Sequence, residues 1–229
     1  MKTIGLLGGM SWESTQAYYR LLNQQVAARL GGLHSAKIIL DSVDFADIEV
    51  LQRAGDWDAL AEMLVQHALR VEAAGADCLM IGTNTMHRVA PQVEVAISIP
   101  LVHIADATAQ ALLKDNVQRV GLLGTRFTME QAFYRERLQA HGIEVMVPDE
   151  AQRDDVHRII YEELCRGVLD DTSRTTYLAV VEALTQRGVD GVILGCTEIG
   201  LLINQNDTHT PLYDTTFLHA QGAVEWALA

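Results

Sequence analysis

The chain has 229 residues, 49% of them hydrophobic and 21% charged, with 17 basic against 30 acidic side chains and a net charge of −13. This is ordinary globular composition, long enough for one large domain or two small ones, each able to bury a core. The acidic balance argues against nucleic acid and anionic membrane as partners, which need a basic footprint. A small anionic substrate, needing only a local cluster of donors, stays open.

No apolar run approaches the roughly 18 residues of a membrane span. Three cysteines, Cys78, Cys165 and Cys196, are too few and too scattered for a disulfide framework. They show no metal-ligand spacing, so no metal is expected and a reducing, cytoplasmic setting fits. A very short apolar start followed by Ser11-Trp12-Glu13 predicts no signal peptide.

In chain order, Thr3 to Leu7 reads as a buried strand. Polar Ser11, Glu13 and Ser14 then open a helix that runs to Leu30, where Gly31-Gly32 stops it. A strand at 36–40, residues 41–45 leading into a helical stretch, a longer helix restarted at Gly55-Asp56 and reaching Ala74, and an apolar strand at 77–81 follow. The polar turn Gly82-Thr83-Asn84-Thr85 comes next. Helix 86–94, a short strand at 101–103 and helix 105–113 lead to a strand at 119–123. Beyond Gly124-Thr125, one helix reaches His141-Gly142, and a strand at 143–147 precedes helical segments at 150–166 and 172–187. Val192 to Leu194 reads as a parallel-type buried strand ending on Gly195-Cys196-Thr197-Glu198. A loop at 204–210, a strand at 211–213 and a closing helix at 215–228 complete the alternation. Strands alternating with helices predict an α/β fold with mostly parallel sheets flanked by helices.

Cys196 draws attention because ligands in open α/β sheets bind outside the carboxyl ends of the strands. Taken alone, it reads equally well as a buried structural thiol. An internal repeat decides between the two. Gly5-Leu-Leu-Gly8 recurs 116 residues on as Gly121-Leu-Leu-Gly124, and Gln16-Ala-Tyr-Tyr-Arg20 recurs 115 on as Gln131-Ala-Phe-Tyr-Arg135. Gly75-Ala-Asp77 recurs 113 on as Gly188-Val-Asp190. Three ordered segments at nearly one offset indicate two similar α/β halves. The expected domains are 1–103 plus 208–229, and 104–207, related by a pseudo-twofold axis with the active site in the cleft between them. Under the 113 offset Cys196 maps onto Thr83, and Thr197 onto Asn84. Two acid/base-capable groups facing each other across a cleft suit proton removal on one face of a carbon and delivery on the other.

On Gly8-Gly9-Met10-Ser11, Thr83-Asn84-Thr85, Gly124-Thr125 with Thr128-Met129, and Gly195-Cys196-Thr197-Glu198, the chain resembles the aspartate/glutamate racemase family along its whole length. The resemblance implies a cofactor-independent, generally homodimeric isomerase that racemises aspartate and/or glutamate with two bases. It makes Cys196 one catalytic base. It assigns Asn84, Thr85 and Thr197 to the substrate's α-carboxylate and ammonium, and sets Met10 and Thr125 on strand-end loops at the substrate. Gln52 falls where related enzymes present an arginine to the distal carboxylate, and Arg166-Gly167 matches the basic element used for it in the second half. Glu198 either tunes Cys196 or simply begins the next helix.

Thr83 departs from the family pattern, which has cysteine there. A thiol can titrate near neutrality, whereas a threonine hydroxyl is a poor base but can still donate a proton to a carbanion. The expected enzyme is therefore asymmetric, with Cys196 deprotonating the L-enantiomer and Thr83 reprotonating the opposite face. Alternatives are a cofactor-free decarboxylase of the arylmalonate type, or an amino-acid-binding module with an impaired catalytic pair. Cys78 and Cys165 read as structural, His87, His103 and His219 as packed or solvated, and Arg53 and Arg126 as surface charges or carboxylate ligands.

Overall fold

The computed structural model describes all residues 1–229 and divides into two compact units, 1–104 with 219–229, and 105–218.

In the first unit, β1 (Ile4–Gly8) is followed by α1 (Trp12–Leu30), β2 (Ile38–Ser42), α2 (Phe45–Ala54), α3 (Trp57–Ala73), β3 (Cys78–Ile81) and α4 (Ala90–Ala96). The strands form a parallel sheet in the order β2-β1-β3. Every residue of β1 and β3 is buried, as expected where helices cover both faces of a parallel sheet. On one face Tyr18, Leu22 and Val26 of α1 pack with Ile4, Leu6 and Met80. On the other, Leu60, Leu64, Ala68 and Val71 of α3 pack under Leu7, Leu79 and Ile81.

The second unit runs through α5 (Ile104–Lys114), β4 (Arg119–Gly124), α6 (Arg126–Glu130), α7 (Ala132–Ala140), β5 (Glu144–Met146), α8 (Glu150–Glu162) and α9 (Asp171–Gln186). It ends with β6 (Gly191–Gly195), α10 (Ile199–Leu202), β7 (Leu212–Asp214) and α11 (Thr215–Leu228), whose last turns belong to the first unit. The sheet is again parallel, in the order β5-β4-β6-β7. Val156, Ile159 and Ile160 of α8 and Tyr177, Val181 and Leu184 of α9 cover one face above Leu123, Val192 and Leu194.

The repeated Gly-Leu-Leu-Gly motif has one physical cause in both units. A Cβ on Gly5 would lie 2.4 Å from Val71 of α3, and one on Gly121 2.8 Å from Leu184 of α9. Only glycine lets these helices lie directly on the central strand. The repeat also extends further than the sequence motifs. Leu79 makes an isolated parallel bridge to Leu101. Val192, 113 residues beyond Leu79, pairs with Leu212 of β7, 111 beyond Leu101.

Several expectations are corrected. The strand expected at 101–103 shrinks to that single bridge. The helix expected at 86–94 is a 3₁₀ turn, Thr85–Val89, followed by α4 with Pro91 in its first turn. Proline is tolerated there and would break a continuous helix. The helix expected from Thr125 to His141 is interrupted by Gln131, whose ψ of 150° is extended. The boundary expected at 208 moves to 219, because β7 pairs with β6 and so belongs to the second sheet. No helix is long and apolar enough to cross a membrane.

Candidate active site

Each sheet reverses its winding direction next to its central strand, between β1 and β3 in the first unit and between β4 and β6 in the second. Ligand crevices open at the carboxyl ends of strands at such switch points. The singled-out motifs stand there: Gly9-Met10-Ser11 after β1, Thr83-Asn84-Thr85 after β3, Thr125 after β4, and Cys196-Thr197-Glu198 after β6.

In the first unit the loop after β1 is held rigidly. Gly9 has φ +91°, and a Cβ there would lie 2.2 Å from Val43 O, so no other residue fits. Its N–H donates to Thr15 Oγ1 at 2.7 Å. Ser11 caps α1, accepting from Ser14 N–H at 3.3 Å, and Ser14 Oγ donates to Gly82 O at 3.1 Å. These bonds tie the start of α1 to the end of β3. Met10 is 4% exposed and packs in the apolar cluster with Ile48, so its side chain is core material. Gln52 is likewise buried, on α2. Neighbouring Arg53 points outward and is engaged by Glu49.

Thr83 is half-buried, its N–H donating to Ile81 O at 2.9 Å. Its hydroxyl forms no hydrogen bond within the protein. Asn84 and Thr85 are buried, and the Asn84 side chain does not cap the turn that follows. Below them three histidines cluster, with ring centroids 4.5 Å apart for His87 and His103 and 5.7 Å for His87 and His219. His219 takes a hydrogen bond from Tyr18 Oη on Nδ1 at 2.9 Å and donates from Nε2 to Val102 O at 2.6 Å. Burial lowers its pKa to about 3.

In the second unit Gly124 and Gly195 stand in register at the ends of β4 and β6. A Cβ on Gly195 would lie 2.7 Å from Leu123 O. Thr125 is buried and caps α6, accepting from Thr128 N–H at 3.3 Å. Arg126 is tied to Asp154 and faces Glu130 at 3.9 Å, which occupies its charge.

The centre of this edge is Glu198, 3% exposed. Its Oε2 accepts from Thr197 Oγ1 at 2.6 Å and from Cys196 Sγ at 3.0 Å, while Cys165 Sγ lies 4.0 Å from Oε1. The Glu198 side chain does not cap α10. Glu198 is the residue at which α10 begins, and its carboxylate faces the thiol. Burial pushes the Cys196 thiol well up from its ordinary range, and the Glu198 charge and Cys165 push it further. Cys165 is pushed up to about 12, by burial first and then by Glu198. Cys78, inside β3, is also pushed up to about 12 by burial, as suits a structural thiol. Arg166, next to Cys165, is exposed and makes no side-chain hydrogen bond or ion pair. No group of three or more His, Cys, Asp or Glu is placed to hold a metal ion.

Sequence reasoning missed two of these neighbours. Cys165 was expected to be purely structural, yet it faces the carboxylate from a 3₁₀ turn 33 residues away in sequence. His87 is packed, as expected, and in addition hydrogen-bonds the Thr83 carbonyl at 2.8 Å. Its i+4 spacing from Thr83 was the available signal.

The family model for Asp/Glu/Hydantoin racemases matches residues 7–223. The chain belongs to that family. It is accordingly an isomerase of the amino-acid racemase class. It is 23% identical to the broad-specificity amino-acid racemase RacX of Bacillus subtilis, over 99% of this chain and 98% of that one. Among solved structures, it is 55% identical to a Yersinia pestis protein provisionally assigned as an Asp/Glu racemase, with a TM-score of 0.93 and full coverage of both chains. It is 34% identical to PH1733, an aspartate racemase homologue from Pyrococcus horikoshii OT3, with a TM-score of 0.87 and full coverage of both.

Proposed function

We propose that this racemase acts on aspartate and/or glutamate without a cofactor, with Cys196 and Thr83 as unequal acid/base partners. The observation that carries the reading is the Cys196 thiol at the carboxyl end of β6, hydrogen-bonded to a buried carboxylate. A buried thiol beside a carboxylate resists ionisation. The proton rests on sulfur in the free enzyme, and Glu198 is its acceptor in the reactive form, where the pair still holds one negative charge, now on sulfur. The thiolate takes the Cα proton of the L-amino acid and becomes a thiol again. The Thr83 hydroxyl gives its proton to the opposite face of the carbanion; solvent restores it and takes the proton from Glu198, which returns the site to its starting state. A partly exposed hydroxyl with no internal partner suits that task.

Asn84, Thr85 and Thr197 hold the α-carboxylate and ammonium in this reading. The distal carboxylate falls to Arg166, whose guanidinium is unpaired, whereas Arg53 and Arg126 are already engaged by acidic groups. Met10 lines the loop on which the substrate rests, through apolar contact, and Gln52 faces the distal carboxylate from α2 in the same reading. A dimeric, cytoplasmic enzyme belongs to the same proposal, and three free thiols suit a reducing compartment.

The test is a chiral assay of L- and D-Asp and Glu, with neutral amino acids alongside because one full-length relative has broad specificity. Interconversion of Asp or Glu that is weakened by Arg166→Ala chiefly through KM supports the reading. Racemisation of neutral amino acids alone, or loss of carbon dioxide from an arylmalonate without racemisation, overturns it.

A further inference from the structure

We propose that His87 is a positioning residue that fixes Thr83 for proton delivery. The inference rests on the reading of Thr83 as a proton donor.

His87 is buried, and both of its ring nitrogens are committed to main chain. The Ile104 N–H donates to Nε2 at 3.2 Å, so Nε2 carries no proton. The proton is therefore on Nδ1, which donates it to the Thr83 carbonyl at 2.8 Å. The ring acts as a neutral cross-link from the end of β3 to the first residue of α5. His103 and His219 pack against it at 4.5 and 5.7 Å and hold its plane.

Both main-chain polar groups of Thr83 are thereby fixed, its N–H by Ile81 O at 2.9 Å and its carbonyl by His87. The Asn84 carbonyl also accepts from the His87 N–H at 3.1 Å, closing the turn. The Thr83 hydroxyl alone is left free, half-exposed on a rigid backbone. A weak proton donor benefits most from such preorganisation, because misplacement by about 1 Å costs on the order of 10²-fold in rate.

Two near-isosteric substitutions separate the two ends of the ring. His87→Asn puts an amide N–H where Nδ1 stands and keeps the bond to Thr83. His87→Gln reaches the Nε2 position, serving Ile104 but not Thr83. The readout is the ratio of deuterium wash-in with retention at Cα of the L-substrate to inversion, measured in deuterated water. Wash-in with retention needs only Cys196; inversion also needs Thr83. We expect His87→Gln to raise this ratio at least about tenfold and His87→Asn to restore it to within about threefold of the wild type, with thermal melts showing both variants folded. Equal effects of Asn and Gln, or parallel loss of wash-in and inversion, overturn the proposal. Thr83→Ala keeps the failures apart. If it leaves the ratio unchanged, the Thr83 reading itself fails; if it raises the ratio while His87→Gln does not, only the role of His87 fails.

Discussion

The thiol of Cys196 donates a hydrogen bond to Glu198 Oε2 at 3.0 Å, and the same oxygen receives the Thr197 hydroxyl at 2.6 Å. The Glu198 charge therefore adds to burial in holding the thiol pKa up, and in the proposed mechanism the carboxylate takes the thiol proton. Glu198→Gln removes the charge, so Cys196 ionises at lower pH and is alkylated faster at a fixed pH near 8. Racemisation nevertheless falls by about 10² or more, since the proton acceptor is gone. Iodoacetamide kinetics against pH, set beside turnover, check both directions. Unchanged alkylation contradicts the electrostatic coupling.

Thr83→Cys converts the weak partner into a titratable one. Racemisation, measured as kcat/KM, is expected to rise about tenfold, and equally in both directions because the two enantiomers are equal in free energy. Initial rates from L- and D-substrate check this. A fall in both rates contradicts a proton-transfer role for residue 83.

His219 makes the first unit acid-sensitive. Its folded pKa is depressed to about 3, while the unfolded chain titrates near 6.5. Between those values the unfolded state binds the extra proton, so stability present above pH 6.5 is lost as pH falls. The loss is about 1.4 kcal/mol per pH unit, hence about 2 kcal/mol by pH 5. His219→Met is expected to be less stable near neutrality, where Tyr18 and Val102 lose their partner, but flatter in denaturation midpoint from pH 6.5 to 5. A wild-type slope in that variant contradicts the assignment.

Gly195→Ala would set a Cβ 2.7 Å from Leu123 O and 2.9 Å from Leu122 Cδ1 at the base of the Cys196 turn. Urea denaturation should show a loss of about 1–3 kcal/mol. Activity should fall further than stability explains, because the shift moves the thiol. An unchanged midpoint contradicts the close packing of β4 on β6.

Much of the fold was legible in the sequence because its causes are local. Each strand is an apolar run closed by glycine or a polar turn, and the Gly-Leu-Leu-Gly repeat reports helices pressed against Gly5 and Gly121. The domain boundary was not, since β7 spans only Leu212–Asp214 and its membership is set by pairing with β6. Thr83 and Cys196 could be singled out from motif and repeat. The cross-links from Cys165 to Glu198 and from Ile104 to His87 join residues 33 and 17 apart, and no periodicity encodes them. Met10 lies in a motif, and Gln52 at an aligned position, that suggest contact with substrate, and their burial beside Ile48 and on α2 is set by packing that no local pattern shows.

Proton exchange at Cα in deuterated water tests the central claim most directly, comparing wild type with Cys196→Ser on L- and D-Asp and Glu. The account predicts that wild-type wash-in is faster from the L-isomer than from the D-isomer, and that Cys196→Ser abolishes exchange from the L-isomer. Exchange from the L-isomer that persists in Cys196→Ser, or wash-in that is faster from the D-isomer in the wild type, would contradict it.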